Sequence, residues 1–410
     1  MIVAVIGAGP AGMIAAGYAA KNSDKVIIIE KNDRMGKKLG ITGKGRCNIT
    51  NIAGISDMIS QYPKNPKFLY SALYSFTNAD IIRLLEERGV KTKVERGGRV
   101  FPVSDKASDV VRALCGFAMQ KNTELIRARA KKLLIRDGKC IGVITDEGTV
   151  KADRVILATG GKSYPKTGST GDGYNMAAEA GHTVVKLKPS LVPIVTKEKW
   201  ARDIMGLSLK NVAVSAYRNG KCVYEDFGEM MFTHFGITGP VVLSMSAHLG
   251  DIKKQNCTVK IDLKPALSYE KLDMRLLRDF EKYNKKQLIN SLCDLLPKAM
   301  IGVIIELSGV DGRKKTAAVT KDDRERLINT LKGVTLTAVD FRPIDEAIVT
   351  SGGISVKEIN PSTMESKLVK GLYFAGEIID ADGYTGGYNL QMAYSTGYLA
   401  GISATEEKEE

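Results

Sequence analysis

Ile2-Val3-Ala4-Val5-Ile6-Gly7-Ala8-Gly9-Pro10-Ala11-Gly12, continued by the Ala-rich Met13–Ala20 and by Val26-Ile27-Ile28-Ile29-Glu30, is the stretch from which the rest of the chain is read. Its first five residues are apolar and mostly β-branched, as a parallel strand buried on both faces requires. The Ala-rich stretch has good helix propensity, and the second apolar run gives a second strand. Strand, glycine turn, helix and strand ending in an acid make a dinucleotide-binding βαβ unit. The first glycine permits the tight turn, the second lets backbone approach a pyrophosphate, and the third lets helix and strand pack closely. Glu30 stands where a carboxylate accepts hydrogen bonds from a ribose diol. Gly7, Ala8, Gly9, Pro10, Ala11, Gly12 and Glu30 are therefore candidate cofactor-binding residues, with Lys31 and Lys37 in the polar loop that follows.

At 410 residues the chain exceeds what one hydrophobic core usually supports, so two or three domains are expected. A hydrophobic content of 44% is that of a soluble globular protein. The N-terminus lacks a basic n-region and a small-residue cleavage site, and no stretch approaches roughly eighteen uninterrupted apolar residues; a cytoplasmic protein without a membrane span is expected. Cys47, Cys115, Cys140, Cys222, Cys257 and Cys293 are scattered, with no C-x-x-C pair and no His/Cys cluster. That argues against a metal site, an iron–sulfur cluster and a redox disulfide. The net charge of +14 invites nucleic acid, an anionic membrane or an acidic substrate. Because the lysines are spread without an aromatic-interleaved basic motif, nucleic acid is disfavoured and a small-molecule substrate is the expected partner. Oligomeric state is left open.

Further along, Gly40-Ile41-Thr42-Gly43-Lys44-Gly45-Arg46-Cys47-Asn48-Ile49-Thr50-Asn51 has a composition no core would want and reads as a loop laid against a cofactor. Helices are expected at Asn65–Phe76, Asn78–Arg88 (Asn78 as N-cap) and Asp105–Gln120, with a hairpin over Val94–Phe101. Ala128–Arg136 and Cys140–Asp146 read as strands joined by Asp137-Gly138. Asp153–Gly161 is a buried strand that returns to the nucleotide sheet. From about Pro189 short alternating strands (Val192–Val195, Leu207–Ala216, Cys222–Tyr224, Cys257–Asp262, Thr335–Val339) suggest an antiparallel barrel. Tyr269–Phe280, Lys285–Asp294 and Asp322–Leu331 read as helices within it. Past about Ile348 glycine-rich texture returns: a strand, Gly371–Phe374, leads through Gly376-Glu377 and Asp380 to Gly386-Gly387-Tyr388-Asn389 and a small-residue helix, Leu390–Ala400. The charged end, Thr405–Glu410, is expected to fray.

The second strand–turn–helix separates the two dinucleotides. A nicotinamide enzyme typically completes its nucleotide fold contiguously; here the fold opens at Met1, is interrupted, and closes at the C-terminus, which suits FAD. Glu377 and Asp380 are candidates to bind ribityl hydroxyls. The backbone of Gly387–Leu390 is the candidate to face the flavin N1–C2=O edge, where negative charge develops on reduction.

Taken together, these stretches resemble a family: bacterial aminoacetone-oxidase-like and bile-acid-pathway reductase-like FAD-dependent oxidoreductases with a glutathione-reductase-like FAD fold. The likeness covers nearly the whole chain. It rests on Gly7–Gly12; Gly43–Asn48 with Thr50-Asn51; Ala158-Thr159-Gly160-Gly161 with Tyr164-Pro165 and Gly168–Gly173; Thr233–Pro240; and Gly376-Glu377 through Gly387-Tyr388-Asn389-Leu390-Gln391. Gly40–Gly45 departs from it, since related sequences carry Ser and a longer glycine run there. The resemblance implies an α/β Rossmann-like FAD domain (1–188 and 348–410) split by a β-barrel (189–264 and 333–347) and a helical subdomain (265–332). The insertion would cover the flavin and form the substrate chamber. Gly43, Arg46, Cys47, Asn48, Lys132, Leu133, Ala158, Thr159, Gly160, Gly161, Gly171, Asp172, Gly376, Glu377, Asp380, Gly387, Tyr388, Asn389 and Leu390 join the candidate FAD-binding set.

Flavin does the redox step while the protein supplies placement, electrostatics and protons. The leading expectation is NAD(P)H-linked reduction of a conjugated C=C bond in an enone such as an unsaturated 3-oxo bile acid or steroid. Hydride passes from flavin N5 to the β-carbon, a donor holds the developing enolate, and an acid protonates the α-carbon. Tyr164, Tyr388 and His234 are the candidate donors. His182 and His248 are read as surface-compatible and not catalytic. No second complete βαβ fingerprint stands in the insertion, so a nicotinamide would bind transiently over the flavin or another donor would be used. Two alternatives share these residues: an aminoacetone-type amine oxidase producing hydrogen peroxide, and a flavoprotein acting on or binding RNA.

Overall fold

In the computed structural model, which describes residues 1–406, the strand Ile2–Ile6 lies at the centre of a five-stranded sheet. The order across it is Leu372–Phe374, Arg154–Leu157, Ile2–Ile6, Lys25–Ile29, Thr123–Ile126, with every neighbouring pair parallel. Both ends of the chain thus share one sheet: Leu157 pairs with Ile6 on one side and with Phe374 on the other. Val3, Val5, Val26, Ile28, Val155 and Leu372 are fully buried, which is why these strands read as apolar runs rather than alternating ones.

The opening helix Pro10–Ala19 packs on the closing helix Tyr388–Ser403. The contact is nearly backbone on backbone. A Cβ at Gly397 would lie 2.4 Å from Ala11 O, and one at Gly401 2.6 Å from Ala15 O. Glycines four apart present one helix face, so both ends of the chain are fixed by the absence of side chains.

Around this sheet the smaller expectations hold with adjustments. Thr92–Glu95 and Arg99–Pro102 form the hairpin, and Thr50–Asn51 joins it. Ala130–Arg136 and Lys139–Thr145 pair through Asp137 (φ +49°) and Gly138 (φ +71°), the positive pair that an Asp-Gly turn supplies. A third strand, Gly148–Lys151, was not foreseen. The helix Asn78–Glu86 is capped by Thr77 in a reciprocal box with Asp80, not by Asn78. Asn78 instead donates to Asn51 O at 2.6 Å and Ala53 O at 3.0 Å, which fastens the loop after Thr50. Thr405 does not fray: it is buried and both its N and Oγ1 donate to Ile402 O. Residues 407–410 lie outside the described residues.

Two compact units result, Met1–Ser190 with Pro343–Glu410, and Leu191–Arg342. The second is built on a closed barrel ordered Ile194–Thr196, Gly236–Thr238, Lys221–Thr233, Ser208–Arg218, Cys257–Asp262, Val334–Phe341. Val212, Val214, Ala216, Val259, Ile261 and Leu336 fill it, alternating with half-buried or exposed residues as a barrel wall demands. Between the last two strands run the helices Tyr269–Lys282, Lys298–Ser308 and Lys321–Leu331. The expected helix at Lys285–Asp294 is only a turn over Leu288–Asn290. The regular helix begins after Pro297, whose ring stands at its N-cap.

Candidate active site

The turn after the first strand is shaped by contacts a side chain would destroy. A Cβ on Gly12 would lie 1.9 Å from Gly7 O, and one on Gly7 (φ +98°) 2.6 Å from Ala158 O. Gly9 differs: nothing lies within 4 Å of where its Cβ would be. Gly9 is the N-cap of the helix Pro10–Ala19, where Pro10 has no N–H and no side chain caps the first turn. Such a terminus offers free N–H groups to an anion. Thr159 Oγ1, in the turn after Arg154–Leu157, is buried with no hydrogen-bond partner among the described residues. An open glycine, an uncapped ten-residue helix and an orphaned hydroxyl fit a bound dinucleotide.

Glu30 is buried but already engaged. It accepts from Ala8 N (2.8 Å), Asn32 N (2.8 Å) and Asn32 Nδ2 (2.7 Å), which braces the turn and leaves about one of its roughly four lone-pair sites for a ribose hydroxyl. Beyond it, Lys31 Nζ pairs with Asp172 Oδ2 at 2.7 Å and Arg129 with Asp172 Oδ1 at 2.8 Å. Although burial works against it, hydrogen bonds from Arg129, Lys31 and Thr170 hold the Asp172 carboxyl down at about 2. Lys37 meets Asp33 at 3.4 Å. Lys132 and Leu133 lie further on, in the strand Ala130–Arg136 that pairs with Lys139–Thr145, one exposed and the other buried. The residues set beside Glu30 are Arg127, Ala128 and Arg129, with Ala128 N donating to Glu30 O at 3.2 Å. These three residues lie between the strands Thr123–Ile126 and Ala130–Arg136, where the chain leaves the parallel sheet.

The glycine-rich stretch reaches the closing helix. Positive φ at Gly43, Lys44, Gly45 and Cys47 bends it into irregular turns. With its amide oriented to satisfy both neighbours, Asn48 donates to Thr50 O (3.1 Å) and accepts from Gly387 N (3.0 Å). Thr50 Oγ1 donates to Gln391 Oε1 at 2.7 Å, and Asn51 Nδ2 to Gly386 O at 3.2 Å. Gly387 (φ +103°) could carry no side chain, since its Cβ would lie 2.4 Å from Thr50 O. The closing helix begins there without a side-chain cap. Arg46 is not free for a cofactor: Glu95 and Asp105 bind its guanidinium, which lies over Phe101. Cys47 is buried, and burial pushes its thiol up to about 12, so it is inert packing rather than a reactive group.

Of the closing segment's acids, the two expected to bind ribityl hydroxyls are taken by protein groups. Glu377 pairs with Lys38 (2.6 Å) and accepts from Thr350 N (2.9 Å) and Ser163 Oγ (3.2 Å). Asp380 is paired with Lys64, and Asn65 Nδ2 donates to its backbone oxygen at 2.6 Å. Asp382, two residues on, was not singled out by the sequence. It is 3% exposed; its Oδ2 accepts from Ser190 Oγ at 2.8 Å, while Oδ1 is buried with no hydrogen-bond partner among the described residues. Its neighbour Gly383 is locked to Asn389 in the first turn of the closing helix, N to Oδ1 at 2.8 Å and O from Nδ2 at 2.7 Å.

Among the candidate proton donors, Tyr388 starts the closing helix, and its backbone oxygen accepts from Tyr62 OH at 2.8 Å. Tyr164 has φ +52°, a left-handed conformation unusual for tyrosine. Burial raises both phenols above their ordinary value of 10.0. His234 belongs to the other unit, exposed in the turn between Lys221–Thr233 and Gly236–Thr238 with its ring edge against Phe235. His182 is not at the surface: it is 4% exposed, held by Glu358 (3.2 Å) and Ser366 (2.8 Å), and packs edge-on against Phe374.

Both ends of the chain closing one parallel sheet, with an uncapped helix N-terminus after each half, define a Rossmann-type FAD-binding oxidoreductase. The chain belongs to the family described as HI0933-like protein Rossmann domain, whose model matches residues 1–403. It is 33% identical over 411 residues to the 3-dehydro-bile acid delta(4,6)-reductase of Clostridium scindens, covering 98% of this chain and 99% of that one. It is 31% identical over 411 residues to the ribosomal RNA dihydrouridine synthase of Haemophilus influenzae, covering 98% of each. Among solved structures it shares its fold with the open conformation of a flavocytochrome c3 fumarate reductase, with a TM-score of 0.52 and 21% identity over 98% of this chain and 78% of that one. No helix among the described residues is long and apolar enough to cross a membrane.

Proposed function

We propose that the chain reduces a carbon–carbon double bond conjugated to a carbonyl, with NAD(P)H as the transient source of electrons. When bound, FAD supplies the hydride. The observation that carries this reading is the closing helix Tyr388–Ser403, whose uncapped N-terminus is anchored by Asn48, Thr50 and Asn51 and so offers fixed partial positive charge to a group that becomes anionic on reduction. Phenols raised by burial, as Tyr388 and Tyr164 are, keep their protons at neutral pH and can donate to an enolate oxygen without ionising. His234 is the remaining candidate donor. In the opening half, Gly9 and the N-terminus of Pro10–Ala19 would hold the pyrophosphate, and Glu30 a ribose hydroxyl. The names of the two full-length relatives support the bond type: one removes delta(4,6) unsaturation from a 3-dehydro-bile acid, and the other turns uridine into dihydrouridine.

Those names divide on substrate. A small steroid-like enone is the first reading. A uridine in RNA is the second, favoured by the name of the relative at 31% identity. The test is anaerobic: NADH or NADPH should bleach the flavin absorbance, and colour should return on adding the true oxidant. Recovery with a 3-oxo-diene steroid supports the first reading, and recovery with a uridine-containing ribosomal RNA transcript the second. Bleaching by aminoacetone with no response to either nicotinamide would overturn both in favour of an amine oxidase.

A further inference from the structure

The closing segment carries three acids, and they are not equivalent. Glu377 and Asp380 spend their carboxylates on Lys38 and Lys64. Asp382 Oδ2 accepts from Ser190 Oγ, and Ser351 adds a second hydroxyl contact to the carboxylate. Its other oxygen is buried and bare. Burial raises this carboxyl, and the neighbouring Asp380 raises it further, while Ser190, Ser351 and Lys64 pull it down. A buried acceptor without a partner is costly, and natural proteins rarely keep one unless a donor arrives from outside the chain. Asp382 also stands at a defined place. Through Gly383 and Asn389 it is fixed to the first turn of the closing helix, far in sequence from the opening turn that faces the pyrophosphate.

We propose that Asp382 Oδ1 accepts a hydrogen bond from the flavin-bearing half of bound FAD, the role the sequence assigns to Glu377 or Asp380. This rests on the flavin reading above. The donor chemistry is an O–H or N–H: a ribityl hydroxyl or the flavin ring N–H. Asp382 is a positioning residue on this account. It places the flavin and transfers nothing.

The adenosine half provides the control. FAD and ADP are titrated into the full-length chain stripped of flavin, for the wild type and for Asp382→Ala and Asp382→Asn, with FAD read by fluorescence and ADP by competition. Loss of a hydrogen bond to a charged group should weaken FAD by about tenfold or more in Asp382→Ala. ADP, which lacks the flavin half, should bind within about twofold of wild type. A shift in the flavin absorption bands accompanying weaker binding assigns the ring N–H, and weaker binding with an unchanged spectrum assigns a ribityl hydroxyl. Unchanged FAD affinity overturns the proposal. So does equal weakening of FAD and ADP, which would mean that Asp382 only supports the fold. If Asp382→Ala does not fold, the same criteria apply to Asp382→Asn, which keeps the shape and loses the charge. A wild-type chain that binds ADP but no FAD overturns this assignment together with the flavin reading; failure confined to the variants overturns the assignment alone.

Discussion

The opening turn, Gly7–Gly12, is held largely from within its own strand–helix–strand unit, by residues 22 positions on, whereas the closing turn, Gly383–Gly387, and the helix it starts also lean on residues 326 to 341 positions away. Gly7 N donates to Ile29 O, Ala8 N to Glu30, and Gly12 lies against Gly7. At the other end Tyr62 supports Tyr388, Asn51 supports Gly386, and Thr50 supports Gln391. One half of the cofactor cradle is nearly self-contained; the other forms only when the chain has folded back on itself. The opening half should therefore tolerate distant substitutions that disable the closing half.

The largest effects should come from side chains forced into closed glycines. Gly12→Ala drives a Cβ into Gly7 O, within the central strand–turn–helix, and should abolish soluble folded protein. Gly387→Ala meets Thr50 backbone at a positive φ, away from the central sheet, and should leave soluble protein that purifies without flavin. Both are read from expression, thermal unfolding and bound flavin. Equal solubility of the two would break the comparison. Gly9→Ala is the sharpest of the set because its Cβ meets no protein atom. The apoprotein should unfold at the wild-type temperature, while FAD binding weakens by about tenfold or more, about 1.4 kcal/mol per decade. A matching fall in apoprotein stability would mean that Gly9 serves the turn and not the ligand.

Next comes the long-range clamp. Gln391 is fully buried, accepts from Thr50 Oγ1 and donates to Phe76 O and Ser395 Oγ. Gln391→Leu strands the Thr50 hydroxyl, while Ser395 Oγ still donates to Phe76 O, and should cost about 1–3 kcal/mol in denaturant unfolding. Thr50→Val combined with it should cost less than the two singles together, because the second change removes a group the first left unpaired. Strict additivity would show that the hydrogen bond contributes nothing to holding the closing helix.

How much of this was legible follows the same division. The parallel sheet, the split nucleotide fold and the barrel could be read because each depends on local periodicity: buried runs for Ile2–Ile6 and Arg154–Leu157, alternation for Ser208–Arg218 and Cys257–Asp262. The Gly7–Gly12 turn was legible for the same reason. The chemistry of the closing segment was not. Nothing local tells that Lys38 and Lys64 will occupy Glu377 and Asp380, or that Asp382 will meet the hydroxyls of Ser190 and Ser351, since each partner arrives from another part of the chain. Arg46 is a further case, a cation in a glycine loop whose partners Glu95 and Asp105 lie 49 and 59 residues on and leave no local sign. The helix at Lys298–Ser308 escaped because its faces are apolar nearly all round, a pattern periodicity does not separate from a strand.

The smallest predicted effect lets pH probe the same division. His182 packs against Phe374, in the closing half's own strand, and burial lowers its imidazole below the ordinary 6.5 even though Glu358 pulls the other way. In the folded chain it takes up its proton at a lower pH than in the unfolded chain, which protonates near 6.5. Its contribution to stability is therefore fully present above 6.5 and is lost as pH falls below that value toward the depressed folded pKa, by at most about 1.36 kcal/mol per pH unit. The opening turn contains no histidine. Between pH 7 and pH 5, amide exchange should quicken in Leu372–Phe374 before it does in Ile2–Ile6, and His182→Gln should flatten that difference. If both strands loosen together, or if the variant keeps the slope, the two halves of the sheet respond to acid as one cooperative unit and the local origin of the opening half's stability must be abandoned.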